Sequence, residues 1–448
     1  MRANRPIRAT LGAALLLTAM GMAPALASPG ETGLEVGFGR VSLVTEIPGV
    51  TLGGYGGRGL VPAQGVHDPT YVKAMVIRTP QRAVALVTYD LIGVQRTILE
   101  AIRRRGLPAR VRLTADDLLL CASHTHAGYG SLAQRTGGLL LDGLFFVTCG
   151  PFRRAFFDEV VERTIAAITA AWDDLAPARI GVGSGRFEGL SHNRGRHGDV
   201  TDPEIGLIKV TDPRGRVRGL VVNFTAHPTI LGADNLLLSA GYPGALQRAL
   251  ERRYPGATVL FTNGAEGDTS VSVPDGRYAN VWERVEATGR RLADCVAQIE
   301  PGIETRPSVG LAFRCLRVRF PEPSGWRARL KFRGGQPDSL FCQLVIGDAI
   351  FMGVPGEPCC RIGLDMKAAA RRRGFRHAFV LGLAQDHCGY FVHACDYGPG
   401  MEESHDYEKQ LNFYGPGVGA FIVRTHMETL GLAPIVTERR PAAGAGSR

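Results

Sequence analysis

The sequence lacks the features that mark several common protein classes. Beyond residue 27, no hydrophobic run of the 448-residue chain approaches the roughly 18 uninterrupted apolar residues of a membrane-spanning helix. The nine cysteines form no C-x-x-C pair, so a structural zinc site is not predicted. Arginine is scattered and aromatic residues do not alternate with it, so the formal net charge of +10 does not predict a nucleic-acid partner.

What the chain does contain is enough apolar sequence for a large core. Hydrophobic residues make up 45% of it and charged residues 21%, which is typical of a folded protein. Neither an internal repeat nor a long linker divides it. We therefore expect one domain over residues 28–436. The tail at 437–448, basic and then rich in alanine and glycine, is predicted to be disordered.

The first 27 residues have the pattern of a secretory signal peptide. Arg2, Arg5 and Arg8 precede a short apolar core, and the A-L-A that ends at Ala27 matches an A-x-A cleavage site. We expect cleavage after Ala27 and export of the mature chain to the periplasm or the medium. An uncleaved N-terminal membrane anchor is the alternative.

The cysteine count is odd, which is informative in an exported chain. Some of the nine cysteines are expected to form disulfides, and at least one must remain free or buried. Cys121 lies within an apolar strand and is predicted to be a small buried side chain.

Strand-like and helix-like segments alternate along the chain. The runs K-A-M-V-I-R-T and R-A-V-A-L-V-T-Y-D predict paired strands, and residues 153–175 carry apolar positions at helical spacing. The pattern predicts an α/β fold: a single large domain of mixed β-sheets flanked by helices. Because strand ends in open α/β sheets meet at a shared crevice, the active site is expected in the loops at the strand ends.

Two histidines one residue apart, His124 and His126, follow the apolar strand D-L-L-L-C-A-S. Such a pair could bind a metal, transfer a proton or simply fill space. His227 follows another predicted strand and could cap it, and Glu357 could be only a carboxylate at a helix start. Together, two separated histidines, a carboxylate and a further oxygen ligand have the composition of a catalytic zinc site. Zinc in such a site polarises a carbonyl and supplies hydroxide near neutral pH.

A series of short motifs occurs in an order that resembles the neutral (non-lysosomal) ceramidases. In chain order they are GYGGR, GVHDPTYVKAMVI, SHTHAG, NFTAHPT, NGAEGDTS, PGE and YEKQLNFYGPG. The resemblance covers nearly the whole catalytic domain of that family. It implies a zinc-dependent amidase of the kind that cleaves the amide bond of ceramide.

The resemblance also implies a role for each matching residue. One zinc ion per chain is expected, held by four residues that we refer to as the predicted ligands: His124, His227, Glu357 and Tyr390. His126 would hydrogen-bond the developing oxyanion or transfer a proton. The further catalytic residues that the resemblance implies are Arg194, Ser270 and Tyr407. The residues that would bind substrate or shape the loop of Ser270 are Asn263, Gly267 and Asp268.

The chain departs from the family in ways that bear on its substrate. Val271 and Ser272 follow Ser270 where the family has proline and asparagine, so the serine loop is expected to differ in shape. The C-terminal β-sandwich of the family is expected to be absent, and no long apolar insertion could hold two acyl chains. The implied substrate is therefore an N-acyl amide, small or lipid, rather than ceramide in particular. A lipid amide would allow peripheral contact with membrane lipid, and no obligate protein partner is expected.

Two other functions remain open. Ser270 could act as a covalent nucleophile with His126 as its base, although no G-x-S-x-G elbow surrounds Ser270. Alternatively, the chain could be a binding or scaffold protein that keeps the ceramidase fold without turnover. Retention of all four predicted ligands argues against that loss of activity.

Overall fold

A computed structural model describes residues 33–133, 146–195, 200–323, 337–399 and 406–435. Every element described below lies in one compact unit of the chain, which begins at Gly33. The predicted signal peptide and the predicted tail lie outside the described residues. Cleavage after Ala27 and the domain limits at 28–436 therefore stay predictions. Within the described ranges, no helix combines the length and the hydropathy needed to cross a membrane.

Strands and helices alternate through the described residues. The strands are β1 Glu35–Ser42, β2 Gly65–Val66, β3 Tyr71–Arg78, β4 Ala83–Tyr89, β5 Leu118–Ala122, β6 Ala176–Pro177, β7 Arg179–Arg186, β8 Ser191–Asn193, β9 Glu204–Thr211, β10 Val217–Phe224, β11 Leu237–Leu238, β12 Thr258–Asn263, β13 Thr269–Val271, β14 Leu311–Arg319, β15 Asp338–Ile346, β16 Ala349–Gly353, β17 Glu357–Pro358, β18 His377–Leu381 and β19 Tyr390–Phe391. The helices are α1 Arg96–Arg105, α2 Arg154–Asp173, α3 Gly241–Arg253, α4 Val281–Ile299, α5 Cys360–Arg372, α6 Asp406–Leu411 and α7 Val418–Arg424.

Three larger sheets carry the core. Their strand orders are β5-β4-β3-β1-β6, β12-β10-β9-β7 and β14-β15-β16-β18. Each mixes antiparallel pairs with one parallel pair, namely β4 with β5, β10 with β12, and β16 with β18. Helix α2 packs on the first sheet, α3 and α4 on the second, and α5 on the third. The predicted α/β class, with mixed sheets flanked by helices, is confirmed.

Most of the predicted elements are present, and one is wrong. The paired strands β3 and β4 and the hairpin of β9 and β10 are confirmed. The run S-L-F-C-Q-L-V-I-G-D-A-I-F-M-G-V was interpreted as one strand, but it forms two, β15 and β16, which pair antiparallel. Gly347 makes the turn between them with a φ of +62°, in the left-handed region that glycine adopts without strain. The apolar run hides that reversal because both strands are buried.

The ends of β5, β12 and β18 meet where the polar loops begin. The loop after β18 contacts the other two strand ends, because Leu383 accepts a hydrogen bond from Ala122 and the amide of Gly382 donates to Asn263. A backbone bridge also joins His227, just beyond β10, to Ser270 in β13. Loops distant in sequence therefore share one buried space.

The cysteines agree with both predictions made for them. Cys315 and Cys342 form a disulfide across the neighbouring strands β14 and β15. Six others carry free thiols, namely Cys121, Cys149, Cys295, Cys359, Cys360 and Cys395, and Cys121 is fully buried in β5. An odd number of cysteines thus leaves free thiols, and most of these are covered by the core.

A buried lysine offers a test of the fold that does not depend on activity. Lys367, on α5, is 2% exposed, and its ammonium contacts the buried carboxylates of Asp202 and Glu204. Burial lowers the pKa of Lys367, but the two carboxylates outweigh burial and raise it overall. Lys367→Met should lower the free energy of unfolding by about 3–5 kcal/mol, because it leaves buried carboxylates without their cation. Denaturation by urea measures the change.

Arg371→Met is the matched control, because Arg371 lies on the same helix and pairs with Glu204 from a half-exposed position. Its loss should change the free energy of unfolding by less than about 1 kcal/mol. Equal, small effects of the two substitutions would show that the Lys367 pair does not hold α5 in place.

Candidate metal centre and catalytic site

His124 is presented by a strained turn at the end of β5. Its backbone amide donates to the carbonyl of Leu91, and its φ is +67°, which is uncommon for a residue other than glycine. The side chain is 2% exposed, and its Nδ1 donates to the carbonyl of Ile92 at 2.6 Å. That bond sets the tautomer and turns Nε2 toward Glu357, whose Oε2 lies 3.3 Å away.

His227 is oriented in the same manner from the loop after β10. Its Nδ1 donates to the carbonyl of Glu266 at 2.7 Å, and its Nε2 lies 3.1 Å from Oε2 of Glu357. The side chain has no exposed surface. The two histidines therefore direct their Nε2 atoms to the same carboxylate oxygen.

Glu357 reaches this position through the sharp P-G turn before β17. A Cβ at Gly356 would lie 2.5 Å from the carbonyl of Gly389, so the close approach of the two loops requires glycine. Oε1 of Glu357 accepts from Nε2 of His387 at 2.8 Å. Burial raises the pKa of Glu357, but His124, His227 and His387 outweigh it and hold that pKa well below the usual value.

Tyr390 completes the group, because β19 pairs with β17 in a register that sets Tyr390 opposite Glu357. Its hydroxyl lies 3.3 Å from Nε2 of His227. Burial raises the pKa of Tyr390, and the charge of Glu357 raises it further. The structure thus brings the four predicted ligands together from three sheets.

The residues present fit a divalent cation such as zinc. Two imidazole nitrogens, a carboxylate and a phenol are donors that zinc accepts, and the Nδ1 atoms bonded to carbonyls match the outer shell of known sites. In the described ranges, two groups have ligand atoms within 4.8 Å of one another: His124 with His126 and His227, and His124 with Glu266 and Glu357. The assignment of zinc to the predicted ligands stays a prediction.

His126 lies beside these residues. Its ring centroid is 4.9 Å from that of His124 and 5.7 Å from that of His227, and Tyr55 covers it at 4.8 Å. Neither ring nitrogen has a hydrogen-bond partner among the described residues, although the side chain is buried. Burial, with the two neighbouring histidines, lowers the pKa of His126 well below its usual value. The position suits a neutral acid–base residue, and it is also close enough for metal binding.

Arg194 lies beside Tyr390. Its Nη2 donates to the hydroxyl of Tyr390 at 3.3 Å and to the carbonyl of Gly267 at 2.8 Å, and its Nε donates to Glu408 at 2.8 Å. Tyr407 is 58% exposed, with its ring centroid 5.6 Å from that of Tyr390. Arg194 is therefore held by an ion pair at the site, and Tyr407 lies at the rim.

The loop from 263 to 270 links the ligand-bearing segments. The side-chain amide of Asn263 donates to the carbonyls of Ser123 and Ala226, which directly precede the predicted ligands His124 and His227. Asp268 accepts from the backbone of Cys360, and a Cβ at Gly267 would lie 2.7 Å from the carbonyl of Glu357. Asn263 and Asp268 are buried, which suits their predicted role in shaping the loop; substrate binding by these three residues stays a prediction.

Ser270 adjoins His227 through its backbone. Its hydroxyl has no hydrogen-bond partner in the described ranges, whereas the hydroxyl of Ser272 contacts Nδ1 of His192 at 3.1 Å. A serine nucleophile normally contacts its base. The role of Ser270 stays a prediction.

The sequence interpretation missed several residues of the site. His387 orients Glu357, Glu408 holds Arg194, and Tyr55 packs on His126. Glu266 is fully buried next to the predicted ligands. The sequence signal for Glu266 was its place in the NGAEGDTS motif, three residues after the end of a buried strand. Nothing in the sequence paired the others with their partners.

Several known proteins of one family are similar to this chain. Residues 34–276 match the family described as neutral/alkaline non-lysosomal ceramidase, N-terminal. The chain is 25% identical over 348 residues to neutral ceramidase 1 of Arabidopsis thaliana and 26% identical over 245 residues to neutral ceramidase of Mycobacterium tuberculosis. These alignments include 73% and 51% of this chain but only 42% and 37% of the relatives, so the chain spans about two fifths of their length.

Solved structures show the same fold. The neutral ceramidase of Pseudomonas aeruginosa superposes with a TM-score of 0.74 at 18% identity, over 92% of this chain and 77% of that one. A ceramidase complexed with C2 superposes with a TM-score of 0.76 at 17% identity, over 92% and 78%. With the family model matching more than half of the chain, the resemblance noted in the motifs is confirmed: this chain belongs to the neutral/alkaline non-lysosomal ceramidase family.

Proposed function

We propose that the chain is an exported, zinc-dependent amidohydrolase that cleaves an N-acyl, ceramide-like amide bond. The observation that carries this proposal is the convergence of His124 and His227 on one oxygen of Glu357, inside the fold of this family. Both histidines are held by backbone carbonyls, so the arrangement is set before any ion or substrate arrives. Such preorganisation is expected of a metal centre, whereas the packing of a hydrophobic core does not require it.

The metal would polarise the amide carbonyl and lower the pKa of a water molecule. The residues around it would supply the rest of the chemistry. Neither ring nitrogen of His126 has a hydrogen-bond partner among the described residues, so His126 can donate to the carbonyl oxygen or pass a proton to the departing amine. Arg194 is held by Glu408 with one nitrogen at Tyr390, where its charge would stabilise negative charge on oxygen.

Access to the site is expected along the side of the aromatic residues. Tyr407 is exposed at the rim, and Tyr55 covers His126 from the loop that carries the GYGGR motif. Gly54 makes this packing possible, because a Cβ there would lie 2.6 Å from Nδ1 of His126. Aromatic faces at a polar centre suit an amide that carries an apolar acyl chain.

The test is a panel of N-acyl amides that differ in acyl chain and amine, offered to the full chain before and after removal of metal. We expect release of fatty acid and amine in equal amounts, loss of that release after chelation, and recovery when zinc is restored. A burst of amine before the acid would instead indicate an acyl-enzyme on Ser270. Bound zinc without turnover on any member would favour a binding protein, and full activity without metal would contradict the proposal.

A further inference from the structure

Glu266 is a buried acid that the mechanism above does not use. It lies in the N-G-A-E-G-D loop after β12, and its side chain has no exposed surface. In the described part of the chain, neither carboxylate oxygen has a hydrogen-bond partner. Space is left for it, because a Cβ at Gly382 would lie 2.4 Å from its Oε2. The fold thus accommodates a carboxyl group that it does not itself satisfy.

A buried carboxylate without hydrogen bonds is costly, and a second acid beside it increases the cost. Glu357 is that second acid, since both belong to one group whose ligand atoms lie within 4.8 Å of one another. The guanidinium of Arg194 makes no hydrogen bond to Glu266 in the described ranges, because its donors go to Glu408, Gly267 and Tyr390. A cation between the two carboxylates would remove the penalty.

The positions of the ligand atoms show that the ion near Glu266 would be the same ion that His124 binds. His124 belongs to both candidate metal groups, and its Nδ1 is bonded to the carbonyl of Ile92. Only Nε2 of His124 is left to bind an ion, so both groups describe the surroundings of a single ion. Glu266 is tied to that ion a second time, because its backbone carbonyl holds Nδ1 of His227.

We propose that Glu266 supplies a second carboxylate to the ion held by His124, His227 and Glu357. This inference rests on the proposed function, because it assumes that a metal occupies the centre. Two carboxylates facing a divalent ion would neutralise it locally and tighten its retention. Glu266 would then hold the ligand His227 through its backbone carbonyl and bind the metal through its side chain.

The experiment compares zinc binding by the wild type, Glu266→Gln and Glu300→Gln, with the full metal-free chain and a competing chelator at one pH. Glutamine has the shape of glutamate, and neither oxygen of Glu266 makes a bond that folding would lose within the described residues. We expect zinc affinity to fall at least about tenfold in Glu266→Gln. The metal-free variant should melt no lower than wild type, while its rise in Tm on zinc addition shrinks. Glu300 is a buried acid paired with Lys209, so Glu300→Gln should lower Tm without changing zinc affinity.

Each outcome bears on one statement only. Equal zinc affinity in wild type and Glu266→Gln would overturn the inference and leave the proposed function standing, whereas a wild type that binds no zinc would overturn the proposed function. If Glu266→Gln does not fold, zinc K-edge absorption of the wild type decides. A shell of up to five nitrogen and oxygen atoms would be filled by the four predicted ligands and one water molecule and would overturn the inference; a sixth such atom supports it.

Discussion

His227→Ala should abolish stoichiometric zinc binding and, with it, N-acyl amide hydrolysis. His227 is fully buried, its Nδ1 is bonded to a carbonyl, and its Nε2 lies 3.1 Å from Glu357 and 3.3 Å from the hydroxyl of Tyr390. Removal of an outer-shell partner alone weakens metal binding about 10–100-fold, so loss of a direct ligand should weaken it further. Zinc per chain, measured by mass spectrometry after gel filtration, reports the change.

Ser270→Ala is the matched control for His227→Ala. The two residues are joined by a backbone bridge, but the Ser270 hydroxyl makes no hydrogen bond to a predicted ligand in the described ranges. This variant should keep its zinc, whatever happens to its turnover. Full zinc occupancy in His227→Ala would show that the ligand assignment is wrong.

His126→Ala and Arg194→Ala should each lower turnover roughly a hundredfold or more while zinc content stays unchanged. Each removes a donor that would act only when charge develops on the carbonyl oxygen, and loss of one such contact has effects of that size. His126 is buried with both ring nitrogens unbonded among the described residues, and Arg194 holds a fixed orientation through Glu408. Zinc content and kcat are measured together on the best substrate of the panel.

Arg110→Ala serves as the control for loss of an arginine, because Arg110 forms an exposed ion pair with Asp173 away from the metal centre. It should leave both quantities unchanged. Near-normal turnover in both test variants would refute the roles assigned to His126 and Arg194. Loss of zinc in His126→Ala would identify His126 as a ligand. Loss of zinc in Arg194→Ala would show that Arg194 acts by holding Tyr390.

The structure agrees with the sequence interpretation where the signal is local. The helix over residues 153–175 was visible in its spacing of apolar residues, and α2 occupies Arg154–Asp173. The hairpin of β9 and β10 was visible in its P-R-G turn. The reversal at Gly347 was missed because both flanking strands are buried, so no alternation of polar residues marked the turn.

The sequence alone determined the fold class, the family and the residue types of the centre. Hydrophobic periods and turn residues act over a few positions, and the motif order preserves the order of the strand-end loops. Only the tertiary structure decided which atoms meet. Carbonyls of Ile92 and Glu266 select Nε2 in two histidines, His387 orients Glu357, and Gly382 admits the carboxylate of Glu266. Those contacts join loops from three sheets, and their burial depends on packing between segments far apart in the chain, which no local pattern encodes.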